Sequence, residues 1–173
     1  MPSWLRLTEK VFVALNQWAV ILCVAAMSCI VFANVALRHF TNDSLVWAEE
    51  VSRYLMIYMA FLAGGLALRA GMLVSVSEFP KRRNALGIAL RWIILIAILV
   101  FCAWMIHSGI EYMQRMGRQL TPATRISFKY VYAAMPIGFG LMILHTLLAA
   151  PRYLASARFD EGDGEQLGSA VGG

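Results

Sequence analysis

The sequence predicts an all-α integral membrane protein with four transmembrane helices and an interfacial helix between the second and third. Three observations predict it. The 173 residues are 60% hydrophobic and 14% charged, where soluble domains carry about one quarter charged residues. Too few polar side chains remain to clothe a soluble core of this size. The apolar residues fall into four long runs, each bounded by charges or helix breakers, and a run of about 20 apolar residues spans a hydrocarbon core of roughly 30 Å.

The first run covers about 11–37 and ends at "RHFTNDS". It is too long for a cleaved signal peptide, carries Asn16 and Gln17 in its early turns and has no small-residue cleavage motif before "NVALRHF", so it is expected to stay as structure. The second covers 45–68 and the third 92–110, separated by "RAGMLVSVSEFPKRRNALGIALRW". That connection mixes apolar residues with a basic cluster, the composition of a segment lying along the interface, and Pro80 suits the start of a short helix. A solvated loop with a topogenic charge cluster is the alternative. The fourth run covers 128–150, with Pro136, Gly138 and Gly140 inside it. These small residues and the proline predict a kink with close packing, and Gly64 and Gly65 receive the same reading. Short connections imply one compact bundle. Residues 1–159 thus form a single four-helix domain, and the acidic, glycine-rich tail 160–173 is expected to be disordered.

Cytoplasmic segments keep the excess of Lys and Arg. The N-terminal segment, the central connection and the tail hold Arg6, Lys10, Arg69, Lys81, Arg82, Arg83, Arg91, Arg152 and Arg158; the other two connections hold fewer. Both termini are therefore expected inside. The net charge of +5 reflects this topology and contact with anionic lipid. No basic stretch is interleaved with aromatics in the manner of a nucleic-acid site.

The second run opens with Glu49, Glu50 and Arg53. From Tyr54 to Leu68 a helix reaches only about 22 Å, short of the roughly 30 Å required, so the charged turn has to help span. Starting at Leu45, with Ser44 or Asp43 as N-cap, puts Trp47 at headgroup level. Arg53 is four residues from Glu49 and three from Glu50, within reach of either. Two acids and one base leave an uncompensated negative charge at a membrane boundary, where an ion is costly. A further basic partner is expected, either Arg38 or a residue of another protein. Catalysis would need a partner acid or base and a cleft, and no Gly-rich phosphate loop, nucleophile elbow or metalloprotease helix is present. The chain is not read as an enzyme.

"ALRHF" followed by "WAEEVSRYLMIYMAFLAGGLALRAG", with "YAAMPIGFGLMILHTL" in the last span, resembles the small membrane subunit, the DctQ type, of tripartite ATP-independent periplasmic (TRAP) transporters. Met72 stands where the resemblance leads one to expect a His. The resemblance implies a multi-pass subunit of the bacterial inner membrane with both termini cytoplasmic. Its partners would be a large DctM-type subunit that carries the substrate and sodium sites, and a DctP-type periplasmic binding protein. The role implied is a brace for the large subunit during uptake of carboxylate-bearing solutes. Arg38, Trp47, Glu49, Glu50, Arg53 and Tyr54 then form the expected subunit interface. The basic second outer loop, with Arg115, Arg118, Arg125 and Lys129, is either a surface in contact with lipid headgroups or a docking rim for the binding protein.

The rival reading is a haem-binding, quinone-linked membrane anchor. It needs paired axial ligands, and His39, His107 and His145 fall at different depths: His107 toward the outer end of span three, His145 toward the inner end of span four, His39 in the loop. A lone intramembrane His is more often hydrogen-bonded to a neighbouring helix. Cys23, Cys29 and Cys102 lack the close spacing of a metal site. No cofactor is expected.

Overall fold

The computed structural model describes residues 3–70 and 85–156. The expected interfacial helix, Met72 and the acidic tail lie outside the described residues. The elements run α1 (Ser3–Thr41), α2 (Val46–Arg69), α3 (Ala85–Met116), α4 (Phe128–Tyr132) and α5 (Ala134–Ser156). Four segments are long and apolar enough to cross a membrane: Thr8–Thr41, Val46–Arg69, Leu86–Met116 and Phe128–Pro151. The chain is a multi-pass, all-helical membrane protein.

The helices outrun the apolar runs that announced them. With 39 residues, α1 is about 58 Å long at ~1.5 Å per residue, nearly twice a hydrocarbon core of ~30 Å. Its polar ends have to project, or the helix has to tilt. It stops at Asn42, whose φ of 53° is left-handed, a conformation that ends helices and that Asn tolerates. The next helix starts after Leu45, and neither Ser44 nor Asp43 caps it. Instead Asn34 of α1 accepts the Leu45 N–H at 2.8 Å, while Asp43 accepts the Ser44 N–H at 2.9 Å. The α1–α2 corner is therefore tied from the side by a neighbouring helix.

The fourth span is broken at Ala133, between α4 and α5. Pro136, three residues on, has no N–H, and its ring crowds the carbonyl four residues back. Hydrogen bonding resumes across the break, from Ala133 N–H to Lys129 O at 3.0 Å and from Ile137 N–H to Ala133 O at 3.2 Å. The span is interrupted here, and Pro136 is used in packing: a Cβ at Gly109 of α3 would lie 2.9 Å from its Cδ.

In place of a compact bundle, the helices form a row. The second helix packs against α1 on one side and α5 on the other, and α5 packs in turn against α3. Among the described residues no comparable contact closes the row between α1 and α3. The central pair packs tightly at Gly138, where a Cβ would stand 2.5 Å from Phe61 Cβ and 2.8 Å from Phe61 O. At Gly65 a Cβ would collide with the His145 ring, whereas Gly64 and Gly140 have nothing within 4 Å. Only one glycine of each neighbouring pair is needed for close approach, because residues one or two apart on a helix face different ways. Between α3 and α5, Leu95, Ala149 and Tyr153 form a buried cluster flanked by Ile94, Ile98, Ala150 and Leu154.

An open row buries less apolar surface than a bundle. Phe32 and Phe40 of α1 are 77% and 83% exposed, and the most apolar window of that helix has no buried residue. Lipid or another membrane protein has to cover these faces.

Candidate functional site

The opening turns of α2 hold the residues singled out above, and the structure divides them. Consecutive helical residues point about 100° apart, so Glu49 and Glu50 cannot share surroundings. Glu50 turns inward and is 8% exposed. Its Oε1 accepts the Tyr54 hydroxyl, one turn on along the same face. Its Oε2 accepts the backbone N–H of Ala123 at 2.8 Å and of Thr124 at 3.0 Å, both in the connection between α3 and α4. Arg53, within reach of either acid by spacing, does not pair with this one. Backbone N–H groups and a phenol take the place of the guanidinium, because the α3–α4 connection folds over this face of α2.

Glu49 and Arg53 are exposed beside Glu50, as are Arg38 and Trp47. Among the described residues, no ion pair joins Arg53 or Arg38 to either acid. The six residues read as one interface thus separate. Glu50 and Tyr54 are engaged within the chain, whereas Arg38, Trp47, Glu49 and Arg53 remain on its surface.

The basic residues gather at the same end of the row. Arg115 lies 3.8 Å from Glu111, one turn back, and both are exposed. Arg118, Arg125 and Lys129 are exposed too, and Arg125 has a left-handed φ of 53°. Residues 117–127 form a compact loop. Leu120 and Ser127 pair as a bridge, and Phe128 N–H donates to Gln119 O at 3.0 Å. The Thr121 hydroxyl accepts the Ile126 N–H at 2.9 Å, and Ser127 Oγ donates to Gly117 O at 2.6 Å. Ser127 also caps α4 by accepting the Lys129 N–H.

Two polar contacts were not anticipated as partners. Glu9 of α1 and Arg69 at the end of α2 form a buried ion pair. Arg69 had been counted only as a boundary charge, and nothing local links residues 60 apart. Further along α1, Asn16 donates to Leu62 O of α2 at 3.1 Å and lies 3.0 Å from Nε2 of His145. A polar residue inside an apolar run was the available signal. His145 is wholly buried and packs its ring on Phe12 with centroids 4.8 Å apart. It meets a neighbouring helix, as a lone intramembrane His is expected to do. His39 and His107 are exposed on other helices, and the described residues contain no group of three or more His, Cys, Asp or Glu able to hold a metal. The arrangement offers hydrogen-bonded braces and exposed charge.

Comparison with known proteins agrees with the resemblance. A Haemophilus influenzae protein assigned as a TRAP transporter small permease is 36% identical over 98 residues, covering 55% of this chain and 61% of that protein. The sialic acid TRAP transporter small permease protein SiaQ of Vibrio cholerae is 24% identical over 148 residues, 83% of each chain. The isethionate TRAP transporter permease protein DctMQ of Oleidesulfovibrio alaskensis is 25% identical over 142 residues, 80% of this chain and 22% of that much longer protein. The chain therefore spans 61% of the first relative and 22% of the last. Residues 27–155 match the DctQ component of the tripartite ATP-independent periplasmic transporters. Matched over most of its length and built of four membrane-crossing helices, the chain belongs to this family: it is a TRAP-type small permease subunit, a transporter component and not an enzyme.

Proposed function

We propose that the chain braces a large DctM-type permease subunit in a sodium-coupled, binding-protein-dependent importer of the bacterial inner membrane, with both termini cytoplasmic. The observation that carries this reading is the exposure of Glu49 and Arg53, without an ion-pair partner among the described residues, on a membrane-crossing helix. An uncompensated ion costs about 2.5–3.5 kcal/mol at mid-bilayer and less toward the boundary, and a protein partner relieves that cost. The open row supplies the accompanying apolar surface. Support for a large partner also comes from the isethionate permease, which contains a segment like this chain within a far longer protein.

The solute is a small organic anion. Carboxylate-bearing compounds are the class the resemblance implies, and sialic acid, named for one relative, fits it. Isethionate, named for another, is a sulfonate, so negative charge is the shared chemistry. A scaffold need not touch the solute, and the brace reading does not depend on which anion is carried. Arg115, Arg118, Arg125 and Lys129 would form a basic rim for an acidic face of a DctP-type binding protein, since complementary charge speeds encounter and sets orientation.

Co-expression with the large subunit, followed by detergent pull-down, tests the brace. Replacing Glu49 and Arg53 together by Ala is expected to abolish co-purification; a double variant that co-purifies and supports normal uptake refutes it. Charge reversal at Arg115 and Arg118 is expected to slow uptake at limiting binding protein while leaving the membrane complex intact. Unchanged uptake counts against the docking rim.

A further inference from the structure

The α3–α4 loop carries much of the basic rim, and its shape depends on a side chain from another helix. Its base is closed by its own bonds, from Thr121 N–H to Ile126 O at 2.8 Å and from Arg125 N–H to Thr121 O at 3.2 Å. Its tip is not. No backbone carbonyl among the described residues takes the N–H of Ala123 or Thr124. Both converge on Glu50 Oε2, at 2.8 and 3.0 Å. Successive backbone N–H groups aimed at one point form a concave anion site, and hydrogen bonds to a carboxylate are about twice as strong as neutral ones. The other oxygen is held by Tyr54, which fixes the carboxylate where the tip needs it. Next to this tip stands Arg125 in its left-handed conformation, which persists only where its surroundings over-determine it.

We propose that Glu50 is a positioning residue for the basic rim: its carboxylate clamps the tip of the α3–α4 loop to the first turns of α2 and holds Arg118 and Arg125 in the arrangement that receives the binding protein. This rests on the docking role proposed above. The neighbouring acids then divide two tasks, since Glu49 faces outward toward a membrane partner while Glu50 secures the loop. Reach matters more than charge in this account, because the acceptor has to meet two N–H groups contributed by another element.

The test uses the full chain co-expressed with its large subunit and placed in lipid nanodiscs. Amide hydrogen exchange over residues 119–127 is compared for Glu50→Ala, Glu50→Asp and Glu50→Gln. Glu50→Ala and Glu50→Asp are expected to speed exchange at Ala123 and Thr124 by about tenfold or more, since Asp keeps the charge but is about 1.5 Å shorter. Glu50→Gln retains an acceptor of the same reach without the charge and is expected to speed exchange less than Glu50→Ala and Glu50→Asp. Affinity for the binding protein should fall with Glu50→Asp, with full recovery of the large subunit. Because Glu50→Asp keeps the charge and Glu50→Gln keeps the reach, the pair separates loop release from a failure to fold.

Parental exchange rates in Glu50→Asp and Glu50→Ala overturn the clamp. A loosened loop with unchanged binding-protein affinity, in a complex whose affinity does fall on Arg118→Glu and Arg125→Glu, overturns the positioning role and leaves docking standing. If the charge reversals also change nothing, the docking reading fails and the proposal falls with it.

Discussion

The Asn16 amide nitrogen of α1 lies 3.0 Å from Nε2 of His145 in α5, across 129 residues of sequence. The same nitrogen donates to Leu62 O of α2 at 3.1 Å. One side chain therefore links three helices, and it does so where Gly65, lacking a side chain, lets the imidazole lie against α2. In a row with no comparable contact between its outer helices among the described residues, this is one of the polar contacts that hold α1 in register.

Interhelical hydrogen bonds in membranes average about 0.6 kcal/mol and reach about 1.7. Asn16→Ala removes the donor of two. The expected loss is about 1–2 kcal/mol in the unfolding of the subunit in detergent, followed by titration with a denaturing surfactant. A double-mutant cycle with His145→Ala should return a coupling energy of the same sign. Independent effects of the two substitutions would remove the link.

Arg69 and Glu9 make a stronger demand about two turns away along the same two helices. Both are buried, at 7% and 3% exposure, and removing one partner of a buried pair costs about 3–5 kcal/mol because the other charge remains. Arg69→Met is expected to cut the yield of folded subunit sharply. Combining it with Glu9→Gln should recover more than half of the lost stability in the same titration. If the double variant is as unstable as the single one, the pair is not what holds this end.

Gly138 and Gly140 provide a packing test within one helix. Adding a methyl group at Gly138 forces α2 and α5 apart, since Phe61 stands 2.5 Å from the new Cβ, and overpacking of this kind costs about 1–3 kcal/mol. At Gly140 the space is open, and Ala is favoured over Gly in a helix by about 1 kcal/mol. Gly138→Ala should lower the melting temperature followed by circular dichroism in detergent, and Gly140→Ala should leave it equal or higher. The reverse order would show that α2 and α5 do not meet at Phe61.

Much of the architecture was legible in the residues. Long apolar runs bounded by "RHFTNDS" and "PRY" marked the spans, and Pro136 stands three residues past the interruption of the fourth. The acids at the head of the second run stood out because charge is rare there. Their division was not legible. Glu49 and Glu50 are the same residue type, one position apart, and what separates them is a rotation of about 100° together with a loop more than 70 residues away. Asn34 was likewise unreadable as a tie for Leu45, because Asp43 and Ser44, the nearer candidates, matched the usual capping residues.

Composition and the length of the apolar runs determined by themselves that this chain crosses a membrane as helices, since lipid offers the backbone no hydrogen-bond partner and a helix satisfies its own. Helix order in the row, the inward turn of Glu50 and the meeting of Asn16 with His145 were decided only by tertiary structure. Apolar periodicity is a local property that tells which residues avoid water. A contact between helices depends on the rotation and depth of both, which residues far apart in the chain have to set together.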